Sequence, residues 1–220
     1  MRDIADIADI FPPLGLRVRS GPLELRGITD DVLAALADLA TRGIHPPESM
    51  PFYVPWTQAP VDELPLNFVR YHWQTRAGFS PESWDLNLAV LHGGELVGVQ
   101  GFSTSDYRVT RTGETGSWLG LAHQGKGIGT LMRQTLCAFL FEHLEAEEIT
   151  SGAFTDNPAS LAVSRKVGYR PNGVVRKTRR EGEWATNQQL VLTARELVRS
   201  PYALEVDGVT PLRRLIGLDS

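Results

Sequence analysis

The segment Gln124-Gly125-Lys126-Gly127-Ile128-Gly129-Thr130 carries the most legible chemistry of the chain. Three glycines in five positions let the backbone approach a ligand closely and take φ angles other residues avoid. An amphipathic pattern over residues 128–144 follows directly, so the glycines open a helix. A helix start offers unpaired N–H groups and the positive end of its dipole, which together suit a phosphate or pyrophosphate.

Three phosphate-loop patterns compete. Gly120 to Lys126 supplies Gly-x4-Gly-Lys, but Gly127 stands where a P-loop needs a hydroxyl for its metal ion. A dinucleotide fingerprint needs its third glycine one position later than Gly129, after a parallel unit, whereas the preceding segments look like an antiparallel meander. The third pattern, Gln-x-x-Gly-x-Gly, is met by Gln124, Gly127 and Gly129. The plainer alternative is a glycine-rich turn before a core helix.

Other polar residues are candidates for work at the same place. Glu114 falls on the same side of its strand as Gly116 and Trp118, and can act as a base through water or stand as a solvated carboxylate. Trp118 alternates with Gly116 and Gly120, as a core residue also would. Asn157 precedes Pro158 as a turn residue, and Ser160 sits at a helix start. The histidines, His45, His72, His92, His123 and His143, show no metal-ligand spacing and read mostly as surface residues. No metal is expected.

The elements around these residues follow from periodicity. Residues 23–28 alternate as a short strand, and residues 32–42 form an apolar helix with Thr29 and Asp30 at its start and Gly43 at its end. Residues 44–60 carry five prolines with Phe52, Tyr53 and Trp56, which excludes a regular element and suggests a packed lid. A helix is expected over 62–78, then strands over 86–91 and 96–104 joined at Gly93-Gly94. A loop at 107–113 leads into a strand over 116–122 that ends at the glycine loop. A strand over 149–154, a short helix from Pro158 to Gly168, and a hairpin of 174–178 with 190–193 about Glu181-Gly182 complete the pattern. The fold class is therefore α/β of the α+β type. It is a mixed, mostly antiparallel central sheet with helices on both faces. Residues 1–15 read as an N-terminal arm, 16–195 as the domain and 196–220 as a C-terminal extension.

Composition bounds the rest. At 220 residues the chain can bury a full core, and 42% hydrophobic with 22% charged residues is ordinary for a globular protein. The net charge of −4 gives no footprint for nucleic acid. Apolar runs are too short to span a bilayer, so no membrane partner is expected. The single cysteine, Cys137, fits a reducing cytoplasm and a small core residue. Arg176, Lys177, Arg179 and Arg180 are followed by Glu181 and Glu183, and read as a charged hairpin face.

The Gln124, Gly127, Gly129 pattern resembles the pyrophosphate loop of the GNAT superfamily of acyl-CoA-dependent N-acyltransferases. Asn157-Pro158-Ala159-Ser160 with Val163, Gly168 and Tyr169 resembles a second segment of that superfamily, and the likeness extends over roughly residues 20–195. Glu114-Thr115-Gly116-Ser117-Trp118-Leu119 looks most like the RimJ/RimL branch, whose members acylate protein N-termini or small amines. Residues 50–57 are also similar to actinobacterial-type members that use succinyl-CoA. The resemblance implies a strand that splays from its neighbour. Residues 118–122, including Trp118, Leu119 and Leu121, would then pair with the pantetheine amides and offer an oxyanion N–H. It implies that Gln124, Gly125, Lys126, Gly127, Gly129 and Thr130 hold the pyrophosphate. By the same likeness Asn157 bonds the pantetheine arm and Ser160 protonates the departing thiolate. The donor would be acetyl-CoA or succinyl-CoA. The acceptor would be an amine, on a protein N-terminus, a lysine or a small molecule, and a homo-oligomer is compatible.

Two positions depart from the superfamily. The common acid, a Tyr seven residues after the Asn, is replaced by Ser164, and the branch's later-strand Glu aligns with Arg179. Glu114 or Glu48 remains as base. Deprotonating an α-amine at pH 7 costs about 1 kcal/mol, against about 4.6 kcal/mol for a lysine, so a weak base favours a low-pKa amine. A succinyl carboxylate would need a donor, for which Arg42, His45, Tyr53, Trp56 and Thr57 are near in sequence.

Overall fold

The computed structural model describes residues 6–219. In chain order the elements are β1 (Arg17–Ser20), β2 (Leu23–Gly27), α1 (Asp30–Thr41), α2 (Leu64–Ala77), β3 (Ser83–His92), β4 (Glu95–Ser105), α3 (Tyr107–Thr110), β5 (Thr112–Leu119), α4 (Ile128–His143), β6 (Glu148–Phe154), α5 (Pro158–Val167), β7 (Arg170–Arg180), β8 (Glu183–Thr193), β9 (Leu204–Asp207) and α6 (Val209–Leu215). The strands form a single nine-stranded sheet ordered β7-β8-β6-β5-β4-β3-β2-β1-β9. Its pairs are antiparallel except β5 with β6.

Alternation along β3 separates the two faces. Leu86, Leu88 and Val90 meet Met132, Leu136, Phe139 and Leu140 of α4. Ala89, with Val99 of β4, meets Val32, Leu33 and Leu36 of α1 and Phe68 of α2 on the other side. The β3–β4 turn is Gly93-Gly94 at φ +59° and +83°, the left-handed pair a two-residue hairpin requires. Helices thus cover both faces, as the sequence pattern implies.

Three expectations change. Residues 107–113 are not a loop: they hold α3 and the start of β5. The strand expected to reach residue 122 stops at Leu119, and residues 121–123 make a 3-10 turn. Helix α4 is buried all round from Met132 to Leu140, including Arg133, Gln134 and Thr135, so its amphipathic pattern understates its burial.

Among the described residues, both terminal segments pack onto the domain, and the C-terminal one adds a strand to the sheet. Residues 1–5 of the expected N-terminal arm lie outside the described residues. From residue 7 onward it forms two 3-10 turns, with Pro12 and Pro13 buried and Phe11 edge-on to Phe79 at 5.4 Å. In the C-terminal segment β9 pairs with β1, and Leu212 and Ile216 enter the main core. A four-residue strand and a seven-residue helix are too short for periodicity to reveal.

His72, on α2, is 3% exposed and lies against the Phe68 ring at 4.7 Å. It is an exception to the surface reading of the histidines. Burial, then the nearby Arg76 charge, lowers its pKa from 6.5 to about 4. Between those values the unfolded chain binds a proton that the folded chain does not. The stabilisation is therefore complete above the unfolded pKa and is lost as pH falls towards 4. We expect roughly 3 kcal/mol of pH-dependent loss from this group across that window. Urea unfolding should show a shallower pH slope for His72→Gln than for the parent chain; equal slopes would contradict this account.

Candidate functional site

The site begins where a ladder stops. β5 pairs with β4 from Glu114 to Leu119, but with β6 only at Thr112↔Glu148, Gly113↔Ile149 and Glu114↔Thr150. Beyond that point β6 continues against β8, from Ser151↔Leu190 to Phe154↔Asn187. The two strands diverge, and among the described residues one edge of β5 from residue 115 to 119 has no strand beside it. An extended ligand with amide groups can pair along such an edge. Trp118 and Leu119 lie on it, whereas Leu121 lies past its end, exposed in the turn.

The glycine loop closes the same end of the cleft. Gly125 and Gly127 have φ of +74° and +82°, and Gly127 caps α4. A Cβ at either would meet nothing within 4 Å, so open space lies beside the loop. Among the described residues, the backbone amides of residues 125–129 have no acceptor. Consecutive unpaired N–H groups at a helix start make a concave donor site, and a pyrophosphate fits its charge and its space. Lys126 is exposed at its rim, and Thr130 begins the ordinary helix bonding through its amide to Gly127 O at 3.1 Å. Gly129 faces inward: a Cβ there would sit 3.5 Å from Val163. The Gln124 side chain is committed elsewhere. Its Nε2 donates to Ile44 O at 2.6 Å and to Leu119 O at 2.9 Å, fastening the loop to the lid and to the end of β5.

Across the cleft, Asn157 caps α5 and its Oδ1 accepts from Ser160 N at 3.1 Å. That leaves the Asn157 amide hydrogens for another partner. The Ser160 hydroxyl stays half-buried near the helix start, whereas Ser164 is 1% exposed and enclosed.

The opposite face holds Glu114, in register with Ser103 of β4, which is itself in register with Asp85 of β3. These residues border an open groove of about 460 Å³. Tyr53, on the lid, has its pKa raised by burial and then by the Glu114 charge; Tyr71, on α2, is raised by burial and then by Asp85. The lid covers this face through aromatic contact, with Trp56 at 6.0 Å from Trp118 and 5.7 Å from Phe68. Glu48 is exposed on it.

Several expected roles are not assembled. Of the lid donors, Arg42 is exposed and paired with Asp38, whereas His45 and Thr57 come together, Nε2 to Oγ1 at 2.7 Å. Arg179 is no base. It braces β7, bonding Asp156 at 2.5 and 2.8 Å above the Phe154 ring. The hairpin cations otherwise pair with Glu183 or lie over Trp184 and Tyr53. No group of metal ligands occurs among the described residues. Sequence reasoning missed Arg133, whose buried guanidinium bridges the divergence point, because a lone arginine inside a helical pattern carries no motif.

Comparison with known proteins places this geometry. The family model described as an acetyltransferase (GNAT) domain matches residues 23–170. YdaF of Bacillus subtilis (strain 168), provisionally named a ribosomal N-acetyltransferase, is 33% identical over 95 residues, 42% of this chain and 51% of that protein. YjcK of the same organism, provisionally named an N-acetyltransferase, is 31% identical over 83 residues, 37% of this chain and 46% of that one. The chain thus spans about half the length of the curated relatives it matches. Among solved structures, RimL, a ribosomal L7/L12 alpha-N-protein acetyltransferase in complex with coenzyme A, aligns with a TM-score of 0.63 at 19% identity, covering 79% of this chain and 95% of that one. RimJ of Mycobacterium smegmatis, in complex with a CoA disulfide, gives 0.63 at 21% identity over 84% of this chain and 88% of that one. At these identities the structural likeness is one of fold.

Proposed function

The chain belongs to the GNAT acetyltransferase family, and from that premise we propose that it moves an acyl group, acetyl or succinyl, from coenzyme A to an amine by direct attack. One observation carries the reading: the β5–β6 ladder ends at Glu114↔Thr150, and the unpaired amides of residues 125–129 lie at the open end beyond it. An acyl-CoA offers the matching sequence of groups, with amides along its arm and a pyrophosphate at the end. In this reading residues 125–129 hold the pyrophosphate and the β5 edge pairs with the arm. Asn157 donates to that arm, and Ser160 supplies the proton to the leaving sulfur. The cytoplasm is the setting we assign.

The acceptor enters from the groove beside Glu114. We assign an α-amine, as on a protein N-terminus, over a lysine. Glu114 is the carboxylate nearest the divergence point, and an α-amine needs only about 1 kcal/mol to shed its proton at neutral pH. The name of RimL, an alpha-N-protein acetyltransferase, points the same way.

Binding is tested at Gly127. Asparagine tolerates its left-handed φ, so Gly127→Asn should retain the fold while filling the space the anion needs. Calorimetry should show CoA affinity reduced at least tenfold, and unchanged affinity in the folded variant would refute the phosphate assignment. Turnover separates the serines: Ser160→Ala should slow it by about 10-fold or more with CoA affinity little changed. If Ser164→Ala is the variant that loses turnover, the acid has been misplaced. The donor is decided by competition, offering acetyl-CoA and succinyl-CoA together with one amine and resolving the products by mass. Arg42 is engaged by Asp38 and His45 by Thr57, so we expect acetyl to be transferred at least as fast; a strong succinyl preference would reverse that choice.

A further inference from the structure

Arg133 projects from α4 to the point where β5 and β6 part, and it is 5% exposed. Its Nη1 donates to Thr115 Oγ1 and to Ser151 Oγ, both at 3.1 Å. These are the residues immediately after the last ladder pair, one on each diverging strand. Its Nη2 donates to Ser117 Oγ at 2.8 Å, further along the open edge, and its Nε donates to Gln100 Oε1 at 3.3 Å on β4. One guanidinium therefore spans three strands at the apex of the cleft. Ser151 Oγ adds a bond to Thr115 O at 3.3 Å, a side-chain substitute for the ladder that has stopped.

All of these partners are neutral. Two other titratable groups lie beside the guanidinium, Cys137 and Tyr169, and both remain protonated. Burial pushes the Cys137 thiol up to about 11 and raises Tyr169 well above the usual tyrosine value. Glu114 is adjacent to Thr115 in sequence but points to the opposite face of the sheet. A buried cation facing only neutral acceptors is costly, and a staple alone would be served by a neutral side chain. The charge is retained where the proposed reaction creates the opposite one.

We propose that Arg133 is a positioning residue that pins the apex of the cleft through Thr115 and Ser151 and sets a positive potential there for the departing sulfur. The inference rests on the acyl-CoA reading. In that reaction the amine lone pair forms the bond to the acyl carbon, and the carbon–sulfur bond breaks with its electron pair going to sulfur. The proton shed by the amine ends on the thiol. Arg133 acts on that negative charge through Ser117, whose oxygen accepts from Nη2 and whose own hydrogen is left to donate at the half-buried edge.

The test follows the thiol of bound CoA by its ultraviolet thiolate absorbance as pH is raised, with CoA affinity measured by calorimetry. With the parent chain, the bound thiol should titrate below free CoA. In Arg133→Met it should rise by about one pH unit or more, with kcat down about tenfold for each unit. Arg133→Lys keeps a charge but not the three-strand bridge, so the thiol should stay low while affinity falls. Ser117→Ala, a surface-edge change, should raise the thiol part of the way, and it keeps the idea testable if Arg133→Met does not fold. Equal thiol titrations in parent, Arg133→Met and Ser117→Ala proteins that all bind CoA would overturn the proposal. Failure of the parent chain to bind CoA would overturn the acyl-CoA reading itself.

Discussion

Two strands that stop pairing must place their backbone polar groups elsewhere, and much of this molecule answers that requirement. Unpaired amides and carbonyls are costly when buried. Past Glu114↔Thr150 the strands are held by side chains instead: Arg133, Thr115 and Ser151 at the apex, and Gln100, whose Nε2 donates to Gly116 O at 3.0 Å. At the far end Gln124 takes Leu119 O and Ile44 O. Between those fastenings one edge of β5 stays open. The cleft is therefore a built feature, fastened at the apex and at the end of β5 by hydrogen bonds, with the β5 edge between them left without a strand.

The two faces of β5 divide the remaining work. Towards α4, Thr115, Ser117 and Leu119 meet a polar bridge and then the main core. Towards the lid, Trp118 joins Trp56 and Phe68, and Glu114 stands at the groove. An aromatic, proline-stiffened cover excludes water and holds its shape with little loss of conformational freedom. The hairpin of β7 and β8 reaches the same cover, with Lys177 over the Tyr53 ring at 4.4 Å. The lid and the outer hairpin are thereby joined beside Glu114.

The sequence was most legible where local backbone chemistry is obligatory. Glycines at positive φ mark the β3–β4 turn, the glycine loop before α4 and the end of α5, and each can be placed from residue type alone. The Asn157 cap is legible for the same reason. It was least legible where a residue's role depends on a distant partner. β1 and β9 are short and stabilise each other across 180 residues or more of chain, as the Ser20–Ser200 contact at 2.9 Å illustrates. Arg133 sits inside an apolar helix pattern, and its meaning appears only when β4, β5 and β6 converge on it. Gln124 was singled out by spacing, and its amide serves the carbonyls of Ile44 and Leu119, a task that spacing alone does not reveal.

The proton chemistry follows from what this arrangement lacks. Ser164 is enclosed, and Arg179, where a base was sought, is engaged with Asp156. Glu114 has Tyr53 near it, and Asp85 has Tyr71; burial first and the neighbouring carboxylate next raise both tyrosine pKa values. A site of this kind can orient an amine and accept one proton through water, but it has little driving force for stripping a lysine, which demands about 4.6 kcal/mol at neutral pH. In the proposed reaction, electrostatic placement would supply the difference on the side of the leaving group, if the Arg133 guanidinium faces it from among its neutral partners. Catalysis would then rest on the fixed dipoles and charge at the apex more than on strong acid or base groups.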